Sequence, residues 1–326
     1  MQKNGLFVIS LDFELNWGVF DSVTGDSYTK NLQNVPLVIE RLLKLSNKYN
    51  INLTFAIVGM LFHQNKDELV NNLPTIKPEY KFDKFNAYAL IKNIGFSEKE
   101  DKLHYAASLI ELIRAVPKHE IASHTYSHFY CKELGQNANS FENDLKSFST
   151  ISENRGINLK SIVFPKNQIN KDYLNLCKKY GISSYRGTEN SILYKPVRQV
   201  DSNLGIRFLR LVDSYLNISG YHIYKPVDLK TNHLINIPSS RFLRPYNKKL
   251  NYLETLKISR IKKAMNKAAK ENSIYHLWWH PHNFGVNMEE NFNNLEEIFS
   301  EYESLSKRFN FKSVTMSETH KIIVNS

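Results

Sequence analysis

Three segments that lie far apart in the sequence end in side chains that can bind a metal ion or transfer a proton. His124 and His128 are four residues apart, and on a helical turn that spacing puts both imidazoles on one side, within reach of one ion. A strand-like run near the N-terminus ends in Asp12 and Glu14, and another near the C-terminus ends in His280. The first hypothesis is a divalent metal site. The alternative is a pair of solvated histidines beside a helix, because short motifs of this kind often occur by chance.

The elements that must position these residues alternate between strand and helix patterns. An apolar run at 6–11 is typical of a strand covered on both faces, 36–49 shows one apolar helical face, and 52–58 is a second strand. A chain that begins in this way favours a parallel sheet covered by helices. The segment 61–118 predicts a helical insertion. Further strands are predicted at 120–123, 161–164, 183–185, 234–238, 273–279 and 311–315, and further helices at 141–149, 171–179, 253–268 and 295–309.

Composition describes a globular protein with an excess of positive charge. Hydrophobic residues make up 42% of the 326 residues and the mean hydropathy is -0.42, and no apolar run approaches the ~20 residues that span a bilayer. The net charge of +11 favours an anionic partner. Two cysteines indicate no disulfide framework, and the opening residues lack a signal-peptide pattern, so we expect a cytoplasmic protein.

The helix predicted at 253–268 has a basic outer face. A solvated exterior is one interpretation, and a surface that attracts phosphate or anionic lipid is the other. The six basic residues assigned to this face are Lys257, Arg260, Lys262, Lys263, Lys267 and Lys270.

The candidate residues suit the hydrolysis of an amide. In parallel α/β barrels, reactive groups gather at the carboxyl ends of the strands, where the loops meet on one rim. Two imidazoles and one carboxylate that leave positions open are typical of catalytic zinc. A bound metal lowers the pKa of its water from 15.7 towards about 7 and polarises a carbonyl. A second carboxylate could take the water proton, and a histidine could return it to the departing amine.

These segments resemble those of the polysaccharide deacetylases with NodB homology, carbohydrate esterase family 4. Asp12-Phe-Glu14 resembles the family's first motif, Leu53-Thr-Phe-Ala-Ile-Val-Gly59 its second-strand motif, and Glu120-Ile-Ala-Ser-His124-Thr-Tyr-Ser-His128 its metal-binding motif. Ile162-Val-Phe-Pro165 stands where the third motif is expected, and Trp278-Trp-His280-Pro281 resembles the closing motif. The match runs in the family's order from about residue 5 to residue 285.

The resemblance implies an α/β fold of the distorted (β/α)7 barrel type, formed by residues 1–326 as a single domain. It implies that Asp12 is the general base and His280 the general acid, and that Glu14, His124 and His128 hold a divalent metal, for which Zn²⁺ is expected. The implied reaction removes an acetyl group from an N- or O-acetylated sugar or glycan precursor. A phosphate-linked precursor would suit the positive charge, and a peripheral membrane contact stays open. No zinc-finger spacing or RNA-binding motif is present, so no nucleic-acid partner is expected.

Three alternatives stay open at this point. The arginine common in the family's third motif is absent, and Lys166 or the more distant Arg186 could replace it. His280 is preferred over His282 because it directly ends the apolar strand. The same barrel could hydrolyse another non-peptide C–N bond, in a small cyclic amide or ureide, or it could be a catalytically silent carbohydrate-binding barrel.

Overall fold

Strands and helices alternate in the computed structural model, which describes residues 4–22, 28–195, 198 and 203–326. The strands of the described residues are β1 (Leu6–Phe13), β2 (Thr54–Ile57), β3 (Glu120–Ser123), β4 (Ser161–Ile162), β5 (Ser184–Tyr185), β6 (Ile235–Asn236), β7 (Arg241–Phe242), β8 (Ile274–Trp279) and β9 (Lys312–Val314). Their α-helices are α1 (Thr29–Gln33), α2 (Val35–Lys48), α3 (Lys66–Asn71), α4 (Ala107–Arg114), α5 (Ala138–Asn154), α6 (Leu174–Lys179), α7 (Leu204–Tyr215), α8 (Glu254–Lys270), α9 (Met288–Phe309) and α10 (Met316–Val324).

The strands form one sheet in which every strand-to-strand pairing is parallel. Its order is β6-β5-β4-β3-β2-β1-β8-β7, and β9 pairs with the first half of β1. β1 lies near the centre and all eight of its residues are buried, which explains its almost unbroken apolar pattern. Because the strands are parallel, the segments that follow β1, β3, β5 and β8 all leave from the same edge of the sheet.

The sheet is curled rather than flat. Arg186 follows β5 and Asp12 lies in β1, four positions away in the strand order, yet their side chains are 2.7 Å apart. The outer face packs against the helices in a large apolar cluster. A smaller cluster fills the inside of the curl, where Met316 and Ile323 of α10 join Leu6 and Val8 of β1. The carboxyl edge of the strands is left for polar side chains.

The segment between β2 and β3 holds the two short helices α3 and α4, joined by a stretch of turns and two short 3-10 helices. This stretch is anchored to the loop after β3, because the backbone N–H groups of Glu79 and Lys81 donate to the carbonyls of Gly135 and Leu134. The Tyr80 hydroxyl accepts the backbone N–H of Tyr130 at 2.8 Å. The segment therefore covers one side of the loop that carries the paired histidines.

The basic face predicted for α8 is only partly correct. Lys257 and Arg260 are buried, with 2% and 6% of their surface exposed. Lys257 pairs with Glu254, and Arg260 pairs with Asp213 of α7. The pattern placed both on the outer face because neither α7, which carries the Asp213 partner of Arg260, nor the Arg244 carbonyl that accepts from Lys257 was predicted to lie there. No helix of the described residues is long and apolar enough to cross a membrane.

Candidate active site

Asp12 and Glu14 project from the end of β1 into a buried polar centre. Asp12 is 3% exposed and Glu14 is 4% exposed. After Glu14 the chain enters a short 3-10 helix, Leu15–Gly18, that turns back over the Glu14 side chain. A Cβ atom on Gly18 would stand 2.0 Å from the carboxyl carbon of Glu14. Glycine at 18 is therefore what leaves room for the Glu14 carboxylate.

His124 and His128 lie on an irregular loop after β3, so the helical turn expected from their spacing is wrong. Thr125 and His128 have positive φ angles of 61° and 57°, which no right-handed helix contains. The two rings still meet, with centroids 5.2 Å apart. Four-residue spacing can thus bring two imidazoles together without a helix.

Asp144 of α5 holds this loop in shape. Its carboxylate accepts the backbone N–H groups of Tyr126 and Ser127 at 2.7 and 3.0 Å, and also the Ser127 hydroxyl. Burial raises the pKa of Asp144 to about 6, although these hydrogen bonds act to lower it. On the other side, Gly59 N–H donates to the Thr125 carbonyl at 3.0 Å. A loop with an unfavourable backbone is thereby fixed at several points.

One carboxylate oxygen of Glu14 faces both of these histidines. Glu14 Oε2 lies 3.2 Å from His124 Nε2 and 3.2 Å from His128 Nε2. His124 Nδ1 donates its hydrogen to the Val163 carbonyl at 2.8 Å, so in the neutral ring Nε2 carries a bare lone pair. Both ring nitrogens of the buried His128 have no hydrogen-bond partner among the described residues. The three atoms repel one another unless a proton or a metal cation lies between them.

The spacing of these atoms suits a metal ion. A tetrahedral zinc ion with bonds of about 2.0 to 2.1 Å sets its ligand atoms about 3.3 Å apart. The separations of 3.2 Å between Glu14 Oε2 and the two imidazole nitrogens agree with that value. The hydrogen bond from His124 to a backbone carbonyl is of the kind that orients metal-binding histidines.

The other Glu14 oxygen faces a second pair of histidines. His282 Nε2 is 3.2 Å from Glu14 Oε1, and His280 Nε2 is 3.6 Å away. Asn283 donates to the Tyr28 hydroxyl, which donates to His282 Nδ1 at 2.7 Å. His282 therefore carries its proton on Nε2 and donates it to Glu14, so the Oε1 side is satisfied by a hydrogen bond.

Arg186 clamps Asp12 through a two-pronged ion pair. Its Nη1 and Nη2 atoms lie 2.7 and 2.8 Å from the two Asp12 oxygens. Ser10 and Asn167 accept further hydrogen bonds from the same guanidinium, and the Trp278 ring lies 4.1 Å below it. Arg186, rather than Lys166, therefore stands where the third-motif arginine was expected to act. Lys166 instead contacts the Gly18 carbonyl and Asp21.

The electrostatics keep both carboxylates ionised. Burial acts to raise the pKa of Asp12, but the charge and hydrogen bonds of Arg186, together with the nearby His124 and His280, outweigh burial and the pKa is lowered. Burial also acts to raise the pKa of Glu14, yet the surrounding histidines hold it well below its usual value. Burial lowers the pKa of His280 to about 4, against the pull of both carboxylates. His280 Nε2 lies 3.7 Å from Asp12 Oδ2, and its side chain keeps 23% exposure at the mouth of the site.

Comparison with known proteins agrees with this geometry. The polysaccharide deacetylase family model matches residues 20–185, a little over half of the chain. The chain belongs to the polysaccharide deacetylase family. The matched region contains the histidine loop, whereas Asp12, Glu14 and His280 lie outside it. No curated protein sequence matches the chain significantly.

Solved structures share the deacetylase fold along nearly the whole chain. A Mycobacterium smegmatis protein described as a polysaccharide deacetylase is 14% identical, with a TM-score of 0.61 over 99% of this chain and 91% of its own. A Pseudomonas aeruginosa PAO1 protein with the same description is 13% identical, with a TM-score of 0.55 over 97% and 89%. Puue allantoinase is 12% identical, with a TM-score of 0.55 over 98% and 90%. The predicted family and the α/β fold of the NodB type are confirmed.

The side chains of the five site residues predicted from the deacetylase motifs come together in one cluster, and their chemical roles stay predictions. These residues are Asp12, Glu14, His124, His128 and His280. The prediction missed the loop anchor Asp144 and Gly18, and it weighed the Glu14 donor His282 only as an alternative to His280. Of these, only His282 had a sequence signal, because it was weighed against His280 as the histidine that ends the last motif.

Proposed function

We propose that this polysaccharide deacetylase family member is a metal-dependent hydrolase that removes an acetyl group from an acetylated sugar or glycan precursor. The observation that carries the proposal is the contact of one ionised carboxylate, Glu14, with a bare imidazole nitrogen of His124 and an unpartnered buried His128. Family membership supports hydrolase activity on an acetylated polysaccharide. The metal and the precursor substrate are our finer proposals.

Glu14, His124 and His128 are the residues proposed to hold the ion. A second trio, Glu14 with His280 and His282, is also close enough to hold one. We prefer the first trio because His282 already donates its Nε2 hydrogen to Glu14, whereas His124 presents a lone pair. Two imidazoles and one carboxylate favour Zn²⁺. When bound, the metal would polarise the acetyl carbonyl and lower the pKa of a water molecule.

Asp12 is the proposed general base. Arg186 holds both of its oxygens and keeps it ionised, so Asp12 is oriented and ready to accept a proton from the attacking water. The same clamp limits its basicity, and the proton must then move on. His280 is neutral at its lowered pKa and its Nε2 lies 3.7 Å from Asp12 Oδ2. We propose that His280 receives the proton and delivers it to the departing amine or alcohol.

Trp278 and Phe242 form an aromatic wall beside His280. Their ring centroids are 4.7 Å apart, and each lies within 6 Å of the His280 ring. Aromatic side chains of this kind are suited to pack against the apolar face of a sugar. Trp279, the next residue, is fully buried against Phe284.

A cytoplasmic location and a peripheral membrane contact stay predictions from the sequence.

The direct test measures acetate release and metal content together. Protein stripped with a chelator and reloaded with Zn²⁺ should release acetate from acetylated amino sugars, and His128→Gln should lose both the metal and the activity. His233→Gln, at an exposed histidine away from the site, is the matched control and should keep both. Full activity in His128→Gln, with no bound metal, would refute the metal role.

Two other functions predicted from the sequence are separated by the same assay. Hydrolysis of a small ureide is kept because Puue allantoinase shares the fold, and release of product from ureides but not from acetylated sugars would favour it. A silent carbohydrate-binding barrel was considered because the third-motif arginine is absent. Since Arg186 clamps Asp12, that reason no longer holds, and turnover of either substrate class would reject it.

A further inference from the structure

A cavity of about 600 Å³ adjoins the candidate active site and shares residues with it. Trp278 lines the cavity and also stacks on Arg186, and Asn167 lines it and accepts a hydrogen bond from Arg186. Phe242, the partner of Trp278, lies on the same wall. A sugar packed on these two rings would therefore have one end at Asp12 and the other in the cavity.

The cavity wall carries many more cations than anions. Arg207 and Lys195 have no side-chain partner among the described residues, and neither has an ion pair there. Among the residues that the structure describes, Arg210 donates only to the Leu193 carbonyl, and Arg244 donates to the Ser214 hydroxyl. None of these four cations is neutralised by a carboxylate within the part of the chain that the structure describes.

The acidic residues near the cavity do not compensate for this charge. Asp213 is shared between Arg241 and Arg260, so one carboxylate serves two guanidinium groups. Glu189 lines the cavity, but it is buried and burial raises its pKa, which disfavours its charged form. Burial and the neighbouring Arg241 and Arg210 act together to lower the pKa of Arg244. The repulsion between these cations would be relieved by an anion in the cavity.

We propose that this cavity binds a phosphate group carried by the acetylated sugar, and so selects a phosphorylated sugar as the substrate. Arginine forks match the oxygen geometry of phosphate and form its strongest hydrogen bonds. The volume is within the range of small-molecule sites and accommodates a sugar phosphate. This inference rests on the proposed deacetylase function, since that function places the sugar on the aromatic wall.

Binding is measured first, by calorimetry, so that it does not depend on turnover. The probes are N-acetylglucosamine, N-acetylglucosamine 1-phosphate, UDP-N-acetylglucosamine and inorganic phosphate. We expect the two phosphorylated sugars to bind at least about 10-fold more tightly than the neutral sugar, with a preference that weakens as salt is added. Tighter binding of the UDP sugar than of the sugar 1-phosphate would identify a nucleoside diphosphate as the source of the phosphate. The reverse order would identify a phosphate monoester.

Charge removal on the cavity wall tests the assigned residues. The double variant Arg207→Gln with Arg210→Gln should weaken binding of the sugar 1-phosphate by about 10- to 100-fold and leave binding of the neutral sugar within about 2-fold. The matched control removes two exposed charges from α9, with Lys307→Gln and Arg308→Gln, and should change neither. Circular dichroism establishes that both double variants are folded.

The outcomes separate this inference from the proposed function. Equal affinity for neutral and phosphorylated sugars, or wild-type binding by the Arg207 and Arg210 variant, overturns the phosphate site even if acetate is released. Tight, arginine-dependent binding of the phosphorylated sugars without acetate release supports the phosphate site and refutes the deacetylase function. Binding of inorganic phosphate alone, with no gain for the phosphorylated sugars, overturns the substrate assignment.

Discussion

Replacing Arg186 by methionine should destabilise the protein strongly, because it leaves Asp12 charged and buried without a partner. Arg186 is 1% exposed and Asp12 is 3% exposed, and two hydrogen bonds of 2.7 and 2.8 Å join them. Breaking one partner of a buried ion pair typically costs about 3 to 5 kcal/mol of unfolding free energy. Asp12→Asn combined with Arg186→Met removes the uncompensated charge. It should therefore cost less than the two single changes added together, by about 2 kcal/mol or more.

The measurement is a double-mutant cycle from urea unfolding, carried out with a chelator so that metal binding does not contribute. Arg41 and Glu289 provide the matched control, because they form the same two-pronged contact at 2.5 and 3.0 Å on the surface. Their side chains are 30% and 73% exposed, so the cycle of Arg41→Met with Glu289→Gln should give a much smaller coupling. A coupling for the Asp12 pair below about 0.5 kcal/mol, or equal to that of the surface pair, would refute the reasoning.

Three further predictions follow from the site and its surroundings. Gly18→Ala should weaken Zn²⁺ binding about 10- to 100-fold in a chelator competition assay, because its Cβ would displace the Glu14 carboxyl; wild-type affinity would contradict this. Asp144→Asn should weaken Zn²⁺ binding about 10-fold by loosening the histidine loop, whereas Glu153→Gln, at an exposed site on the same helix, should not. Burial lowers the pKa of His276 from 6.5 to about 3, so its contribution to stability is complete above pH 6.5 and is lost as the pH falls towards 3. His276→Gln should remove about 1.4 kcal/mol per pH unit from the slope of unfolding free energy in that range, and parallel profiles for the two proteins would show the assignment to be wrong.

The strands that carry the reactive groups were predictable because burial on both faces leaves an almost continuous apolar run. β1 and β8 have that pattern, and polar residues of the site stand at or just after the end of each. The carboxyl ends of parallel strands lie at one edge of the sheet. Asp12 and His280 could therefore be expected from the sequence to lie close together. In the structure, β1 and β8 are neighbouring parallel strands, and this pairing places the two residues side by side.

Contacts that depend on the curl of the sheet could not be predicted. Arg186 follows a strand of only two residues and stands 174 positions from Asp12 in the sequence. Its position after a short strand was the only available signal, and it made Arg186 a distant alternative to Lys166. The conformation of the loop that carries His124 and His128 could not be predicted for a related reason. Its residues with positive φ are held in place by Asp144, which belongs to another element.

The basic face predicted for α8 shows the same limit of sequence-based prediction on the outer side of the sheet. A periodic pattern states which residues share a face of α8 but not what covers that face. α7 was not predicted, although Leu204, Phe208 and Tyr215 recur at helical spacing; in the structure Leu204 stays 77% and Phe208 63% exposed. Asp213 of α7 nevertheless forms an ion pair with the buried Arg260 of α8. Arg260, which the pattern assigned to a solvent-exposed face, therefore forms a buried ion pair.

The length of the Glu14 side chain explains how one carboxylate can serve two pairs of histidines. Glutamate is one methylene longer than aspartate, and that extra length carries the carboxyl group between the histidine loop and the last motif. Oε2 then meets the unprotonated side of His124 while Oε1 accepts a hydrogen bond from His282. The space for the longer side chain exists because residue 18 has no Cβ. Glu14→Asp should therefore lose the contact with His124 or the contact with His282, because a shorter side chain cannot keep both. The same change should lower Zn²⁺ affinity more than Asp12→Asn does.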